Sequence, residues 1–230
     1  MELQEKVVVI TGASRGLGRA LAFAFSKEGA RLVLANRRED ELNAVASETG
    51  GIAVVTDVSD EAQVHALAQQ AVEKYGSIDI WINNAGIWMP HAPVEEMDWV
   101  RVHNLFEVNV FGTMYGSKEA LVQMRKQNTG IIINISSTSG VEGSKNSSGY
   151  SASKFAVSGF TQSLGKEVEG TGIRIFCIYP GGMKTHLFDE VTREGYDTYM
   201  DANDVAKKIV DHIKDETADA DFIIKRPQHV

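Results

Sequence analysis

A tyrosine and a lysine, one helical turn apart, are the residues of this sequence best suited to proton chemistry. Tyr150 and Lys154 occur in the segment YSASK, and residues four apart share a face of a helix. A free phenol has a pKa of about 10, so roughly 4 kcal/mol is needed to bring it near neutrality. An ammonium about 4 Å away supplies about that much at an effective dielectric constant of about 20. The pair is therefore predicted to act as an acid or base, with two solvated helix residues as the alternative.

Two adjacent serines follow the apolar run IIINI, upstream of this pair. At the end of a strand, only one of the two side chains would point toward a ligand, because successive residues face opposite sides of a sheet. A hydroxyl in that position donates a hydrogen bond to a carbonyl oxygen that gains negative charge. Ser137 is the preferred candidate for this role, and Ser136 is the less favoured one.

The segment TGASRGLG, residues 11–18, is a glycine-rich turn between an apolar run and a helical segment. Gly12 permits a tight turn, Gly16 lets the backbone approach a diphosphate, and Gly18 allows close packing of helix on strand. The exposed amides and the positive end of the helix would then face the anion. The spacing G-x-x-x-G-x-G differs from the G-x-G-x-x-G fingerprint, but its position after the first strand also predicts dinucleotide binding.

The end of the second apolar run lacks the acidic residue that most NAD-binding proteins have there. Asn36, Arg37 and Arg38 occupy this point of the chain. Guanidinium groups suit a 2′-phosphate, and Arg15 of the glycine-rich turn is placed to converge on the same group. We therefore predict NADP rather than NAD as the cofactor, with two solvated arginines at a helix start as the alternative.

Short β-branched runs alternate with segments of helical period along nearly the whole chain. The runs predict strands that are buried on both faces, and they are VVVIT, RLVLAN, IAVVTD, IDIWIN, IIINIS, IRIFCIYP and DFIIK. The helical segments are residues 17–28, 39–48, 60–75, 104–127, 150–168 and 203–214. Repeated strand–helix–strand units predict an α/β doubly wound parallel sheet, a Rossmann fold, which binds ligands beyond the carboxyl ends of its strands.

One domain is expected over residues 1–230, because the chain has no internal repeat and no Pro-rich linker. Residues 138–149 form a Ser/Gly-rich link between a strand and a helix. Residues 181–202 are longer than an ordinary connection and predict a substrate loop, with a simple surface excursion as the alternative.

Composition argues against several classes of partner. The chain has 23 Lys and Arg against 31 Asp and Glu, a formal net charge of -8 that disfavours nucleic acid. No apolar stretch approaches the roughly 20 residues of a membrane span, and the first residues do not resemble a signal peptide. We therefore expect a cytoplasmic protein without membrane contacts. Cys177 is expected to be a buried thiol, and the six histidines show no metal-binding spacing, so no metal site is expected.

Taken together, the motifs resemble the short-chain dehydrogenase/reductase family, in its single-domain branch. The resemblance covers about residues 4–185 and rests, in chain order, on TGASRGLG, Asp57-Val58, Asn83-Asn84-Ala85-Gly86, Asn109, Ser137, YSASK and Pro180-Gly181. It implies that Tyr150 is the general acid/base and that Ser137 polarises a carbonyl. It also implies that Lys154 holds the nicotinamide ribose and that Asn109 retains a water of a proton relay. For Asn109, a hydrogen bond within a group of helices is the alternative.

The resemblance also implies cofactor contacts along the chain. Asp57 would contact the adenine, with a turn or helix cap as its alternative role, and Thr185 would bind the nicotinamide carboxamide. Asn83, Ala85 and Gly86 would line the adenosine side and steady the central strands. The other predicted cofactor contacts are Gly12, Ser14, Arg15, Gly16, Leu17, Gly18, Asn36, Arg37, Arg38, Val58, Tyr150, Lys154, Pro180 and Gly181.

These features predict an NADP-dependent oxidoreductase that interconverts a carbonyl compound and an alcohol. A catalytically silent NADP-binding sensor is one alternative, but it would not need the serine, tyrosine and lysine together. A sugar-nucleotide epimerase or dehydratase is another, but it would need an appended substrate domain. An apolar or aromatic substrate is suggested by the loop residues Trp88, Met89, Val141, Leu187 and Phe188. Apolar stripes on residues 104–127 and 150–168, used for subunit pairing in the resembling proteins, predict a homodimer or homotetramer.

Overall fold

The computed structural model describes residues 1–185, 187 and 196–226, and it is built around one parallel β-sheet. The strands of the sheet are β1 (Val7–Thr11), β2 (Arg31–Asn36), β3 (Ile52–Val55), β4 (Ile80–Asn83), β5 (Gly130–Ile135), β6 (Ile173–Pro180) and β7 (Asp221–Ile224). They lie in the order β3-β2-β1-β4-β5-β6-β7, and all neighbouring pairs are parallel. The predicted α/β doubly wound sheet is therefore confirmed.

Helices cover both faces of this sheet. They are α1 (Gly16–Lys27), α2 (Glu39–Thr49), α3 (Glu61–Tyr75), α4 (Trp99–Phe106), α5 (Gly112–Gln127), α6 (Ser148–Glu167) and α7 (Ala202–Lys214). A five-residue π-helical segment, Glu107–Phe111, joins α4 to α5. Among the described residues, none of these helices combines the length and the apolar character that a membrane span requires.

Alternate side chains of the strands enter two separate layers of the core. On β1, Val8 and Ile10 pack with residues of α1, α2 and α7, whereas Val7 and Val9 pack with residues of α3, α5 and α6. Because successive strand residues face opposite sides, a sheet covered on both faces needs apolar residues at every position. This requirement explains why the strand sequences are continuously apolar and could be predicted.

The direction of strand addition changes at β1, which lies between β2 and β4. Loops that leave the carboxyl ends of β1 and β4 diverge to opposite faces of the sheet, which opens a crevice there. The glycine-rich turn leaves β1 at this edge, and the residues that follow β4, β5, β6 and β7 lie along the same edge. The fold thus brings together segments that are far apart in the sequence.

The predicted helix over residues 104–127 starts earlier, at Trp99. Asp98 caps α4, because its carboxylate accepts hydrogen bonds from the backbone N–H groups of Val100 and Arg101. The side chain of Val100 is 79% exposed, so it interrupts the apolar periodicity that would have indicated this turn. Of the predicted substrate loop, residues 186 and 188–195 lie outside the described residues.

Candidate active site

The predicted site residues gather at one cleft, at the carboxyl ends of the strands, with a volume of about 470 Å³. Those that line it are Gly12, Arg15, Gly16, Leu17, Gly18, Asn36, Arg37, Arg38, Asp57, Val58, Ala85, Gly86, Ser137, Tyr150, Lys154, Pro180, Gly181 and Thr185. Three predicted residues, Ser14, Asn83 and Asn109, are buried beside the cleft and do not line it. One continuous cavity therefore joins the glycine-rich turn to the tyrosine and lysine.

The glycine-rich turn is shaped by two very close backbone approaches. A Cβ on Gly18 would lie 2.1 Å from the carbonyl oxygen of Gly12, so α1 can pack on β1 only without a side chain there. Gly12 itself has a φ of +67°, and a Cβ on it would lie 2.8 Å from Cα of Ala85. The N-cap residue Arg15 gives no side-chain hydrogen bond to the first turn of α1, which also holds no acidic residue. The amide groups at this helix end are thus suited to an anion.

Thr11 and Asn84 fix the turn to the end of β4. The Thr11 hydroxyl donates to the carbonyl oxygen of Ile82 and accepts from the N–H groups of Asn84 and Ala85. The Asn84 amide nitrogen in turn donates to the carbonyl oxygen of Thr11 at 2.8 Å. Sequence reasoning gave neither residue a role, although Asn84 lies inside the quoted NNAG motif.

The arginines after β2 are paired with carboxylates in this structure. Arg37 Nη1 lies 3.3 Å from Asp57 Oδ2, and Arg38 Nη1 lies 2.8 Å from Glu41 Oε1. Both guanidinium groups are more than half exposed, so these ion pairs are weak and an incoming phosphate can compete for them. Ser14 does not reach the cleft as predicted, because its hydroxyl donates to Glu41 Oε2 at 3.1 Å.

Two carboxylates at this end of the cleft remain charged. The hydrogen bond from Arg38 is the main cause that lowers the pKa of Glu41 below its usual value. Burial raises the pKa of Asp57, but hydrogen bonds from Ser59 and the charge of Arg37 outweigh it, so this pKa is also below its usual value. The guanidinium groups therefore keep anionic partners over the physiological pH range.

Lys154 is held through its side chain by the last residue of β5 and through its backbone by two serine hydroxyls. Its Nζ donates to the carbonyl oxygen of Ile135 at 3.0 Å, and its own carbonyl oxygen accepts from the hydroxyls of Ser136 and Ser158. The side chain is only 6% exposed, and burial lowers the pKa of Lys154 to about 8. Its Nζ lies 5.8 Å from the ring centroid of Tyr150, so α6 does place both side chains on one face.

Both serines after β5 line the cleft, but their hydroxyls have different partners. The Ser136 hydroxyl is used inside the protein by Lys154 and Ser158. Ser137 Oγ accepts from the N–H of Ser139, a bond that does not use its hydroxyl hydrogen. Ser137 lines the cleft together with Tyr150, and its hydrogen can therefore be donated to a molecule bound there.

The predicted relay residue Asn109 lies in the π-helical segment and is 1% exposed. Its side-chain oxygen accepts from the N–H of Ile87, and its amide nitrogen donates to the carbonyl oxygen of Ile87 and to Ser153 Oγ. These bonds tie the segment after β4 to α6, and the relay role of Asn109 stays a prediction. Asn109 thus lies beside the cleft rather than in it.

Asn83 was predicted to line the adenosine side and to steady the central strands, and the structure places it only in the second of these positions. Its side-chain oxygen accepts from Trp81 Nε1 at 2.7 Å. Its amide nitrogen donates to Asn134 Oδ1 of β5 and to Ser117 Oγ of α5. A fully buried amide needs such partners, and they point the side chain away from the cleft.

Only part of the predicted apolar lining faces the cleft. Trp88 and Leu187 line it, whereas Met89 belongs to a buried cluster with Tyr150, and Val141 is exposed and does not line the cleft. Phe188 lies outside the described residues. Sequence reasoning missed several lining residues on this side, namely His91, Ser144, Ser147, Met183, Tyr199 and Arg226.

The sequence is similar to those of known oxidoreductases. Residues 6–195 match the sequence pattern of the family described as short chain dehydrogenase. An uncharacterized oxidoreductase of Staphylococcus saprophyticus is 37% identical over 236 aligned positions, which cover 100% of this chain and 95% of that protein.

Solved structures of related proteins have the same fold. A short chain dehydrogenase/reductase from Burkholderia phymatum in complex with NAD is 28% identical, with 97% of this chain and 90% of that chain covered and a TM-score of 0.90. An actinorhodin polyketide ketoreductase with NADPH is also 28% identical, with 96% and 95% covered and a TM-score of 0.86. One of these two related structures thus contains NAD, and the other contains NADPH.

Proposed function

Because this chain belongs to the short chain dehydrogenase family, we propose that it is an NADP-dependent oxidoreductase that interconverts a carbonyl group and an alcohol. The observation that supports this most is that Ser137, Tyr150 and Lys154 line the same cleft as the glycine-rich turn. A binding protein without chemistry would need the turn but not these three side chains. An oxidoreductase explains both ends of the cleft.

The glycine-rich turn and the arginines fit the phosphates of the proposed cofactor. The α1 amides would hold the diphosphate, and Arg15, Arg37 and Arg38 would hold the 2′-phosphate. When bound, the nicotinamide supplies or accepts the hydride. The related structures with NAD and with NADPH support a nicotinamide cofactor, and the arginines favour NADP.

The reacting side chains divide the work at the carbonyl oxygen of the substrate. In the direction of reduction, Ser137 donates a hydrogen bond to that oxygen, and Tyr150 transfers its phenolic proton to it. The ammonium of Lys154, held by Ile135, keeps a positive charge near the phenol and so stabilises the phenolate that remains. In the direction of oxidation, Tyr150 takes the proton back from the alcohol. Reduction is the expected direction in a cell that keeps NADPH reduced.

Replacement of Tyr150 by Phe tests the proposed reaction. The variant lacks the transferable proton, so we expect kcat to fall by at least about 100-fold while the Kd of NADPH changes by less than about twofold. The measurement follows NADPH absorbance with a panel of apolar and aromatic ketones and aldehydes, and Kd is determined by fluorescence titration. Tyr115→Phe is the matched control, since Tyr115 lies on α5 outside the cleft. Unchanged turnover of Tyr150→Phe would overturn the assigned role.

A comparison of the two nicotinamide cofactors tests the role of the arginines. We expect kcat/KM to be at least about tenfold higher with NADPH than with NADH, and Arg38→Gln to lose most of this preference, because a guanidinium–phosphate bond contributes about 1.5–3 kcal/mol. Arg19→Gln is the control, since Arg19 pairs with Glu48 on the outside of the same region. A tenfold preference for NADH in the unmodified protein would contradict the prediction.

A further inference from the structure

The cleft contains a cation that the proposed proton and phosphate chemistry does not use. Arg226 follows β7 and lines the cleft. Among the described lining residues, Arg15, Arg37 and Arg38 belong to the phosphate end, and Lys154 belongs to the reacting centre. Arg226 is exposed at the edge of the cleft, and it is the described arginine of the lining that this chemistry leaves without a role.

The sheet places Arg226 near the reacting centre and far from the phosphate end. In the strand order, β7 is two positions from β5 and five positions from β2. Neighbouring strands are about 4.8 Å apart, so the end of β7 lies about 10 Å from the end of β5 and about 24 Å from the end of β2. Ser137 follows β5, whereas Arg37 and Arg38 follow β2. A ligand group at Arg226 would thus belong to the molecule that reacts at Tyr150.

The turn after β6 supports the side chain of Arg226. Its guanidinium carbon lies 5.0 Å from the ring centroid of Tyr199. Cγ of Arg226 would lie 3.5 Å from a Cβ on Gly181, and the Tyr199 ring would lie 2.8 Å from a Cβ on Gly182. The tyrosine ring therefore packs directly on the backbone of Gly182, where a side chain would displace it, whereas a Cβ on Gly181 would only reach ordinary van der Waals contact with Arg226.

Stacking on a ring restrains the plane of the guanidinium and leaves its edge N–H groups available to a planar anion. Within the described part of the chain, Arg226 has no ion pair with a carboxylate. Asp57 is the only carboxylate among the described residues that line the cleft, and it is paired with Arg37 at the other end. Among the described residues, Arg226 therefore has no carboxylate partner, either in the cleft or in an ion pair.

We propose that Arg226 binds a carboxylate of the substrate, so that the substrate is a carbonyl compound with an apolar body and a carboxylate several carbon atoms from the reacting carbonyl. The apolar body would contact Trp88 and Leu187, which line the same cleft. This inference rests on the proposed oxidoreductase function. It adds an anionic group to the apolar substrate that the sequence predicts.

Matched pairs of substrates test the inference. Each pair is an aromatic or aliphatic keto acid and its primary amide, with one to four carbons between the two groups, and NADPH absorbance reports turnover. We expect the unmodified protein to have a kcat/KM at least about tenfold higher for the acid, and Arg226→Gln to remove this difference mainly through KM. Lys225→Gln is the control, because Lys225 is exposed next to Arg226 and does not line the cleft. It should keep the preference for the acid.

The outcomes separate this inference from the proposed function. An equal loss of kcat/KM for acids and amides in Arg226→Gln would overturn the carboxylate site. A higher Kd of NADPH in that variant would also overturn it, because it would indicate that Arg226 binds a cofactor phosphate. If no carbonyl compound is turned over, the proposed function fails. The carboxylate site is then tested by thermal shift, which compares the binding of phenylacetate and of phenylacetamide to the NADPH complex. Stabilisation by the carboxylate that Arg226→Gln abolishes supports the site, and no selective stabilisation overturns it.

Discussion

At the scale of single residues, Lys154 combines deep burial with a charge that the chemistry requires. Its ammonium has one described hydrogen-bond acceptor, the carbonyl oxygen of Ile135, and little contact with water. Burial therefore favours the neutral amine and lowers the pKa to about 8. Below this pH, the buried cation beside Tyr150 makes the folded state less stable.

Replacement of Lys154 by Met measures how much the buried charge lowers the free energy of unfolding. Below pH 8 the lysine is charged in both the folded and the unfolded states, and burial of this charge destabilises the folded state. Between pH 8 and the unfolded pKa of 10.5, only the unfolded chain keeps the proton, so the unmodified protein gains stability relative to Lys154→Met as the pH rises. The gain approaches about 3 kcal/mol for a shift of this size.

Urea unfolding of both proteins from pH 7 to pH 10 checks this expectation, since all other groups titrate alike in the pair. The exposed Lys208 on α7 provides the control, because Lys208→Met makes the same chemical change at a surface position. A difference between Lys154→Met and the unmodified protein that stays constant with pH would mean that Lys154 is not desolvated in the folded protein.

Some site residues follow from local sequence, and others depend on distant contacts. The spacing of Tyr150 and Lys154 fixes their common face, because a helix has a known period. Ser14, Asn83 and Asn109 were predicted as site residues but do not line the cleft, because a polar side chain near a cleft can equally turn to a partner inside the protein. Those partners lie on other elements, as Glu41 does for Ser14 and Asn134 does for Asn83.

At the scale of elements, the contact between α1 and β1 is the tightest constraint on the phosphate-binding turn. A methyl group on Gly18 would lie 2.1 Å from the Gly12 carbonyl oxygen and 2.6 Å from the amide nitrogen of Asn84. The backbone oxygen cannot move without shifting α1, so overpacking must displace the turn.

Gly18→Ala tests that constraint. We expect the free energy of unfolding to fall by about 1–3 kcal/mol and the Kd of NADPH to rise, because the displaced turn also presents the amides. Gly165→Ala on α6 is the control, since a Cβ there meets nothing within 4 Å and alanine should stabilise a helix by up to about 1 kcal/mol. Chemical denaturation and fluorescence titration give both quantities. Equal effects at the two glycines would show that helix propensity, not the close contact, governs Gly18.

The strands and most helices could be predicted, because burial on both sheet faces and amphipathic periodicity leave strong patterns. The helical region before residue 104 could not, since the first turn of α4 is held by the Asp98 cap and exposes Val100. The place of Arg226 in the cleft also could not be predicted. Its position in the cleft depends on β7 joining the sheet beside β6, which the local sequence does not reveal.

At the scale of the whole molecule, apolar side chains remain exposed around α5 and α6. They include Phe111 in the π-helical segment, Val122 on α5 and Phe155 on α6, the last with 45% of its surface exposed. Exposed apolar side chains are typical of interfaces between subunits. These observations support the predicted homodimer or homotetramer.

Light scattering at micromolar concentration checks the predicted assembly. We expect a mass of two or four times the 25.1 kDa of the chain, and a lower mass for Phe155→Glu, because a buried unpaired carboxylate disfavours association. Val100→Glu is the control, since Val100 is exposed on α4 rather than on α5 or α6. A monomeric mass for the unmodified protein would refute the prediction.

The position of β1 in the middle of the sheet has a consequence for the growing polypeptide. β1, β2 and β3 pair consecutively on one side of β1, and every later strand adds on the other side. During translation, the glycine-rich turn and the arginines after β2 therefore leave the ribosome before the segment that carries Tyr150. The nascent chain thus releases the residues proposed to bind the cofactor phosphates before the residue proposed to transfer the proton.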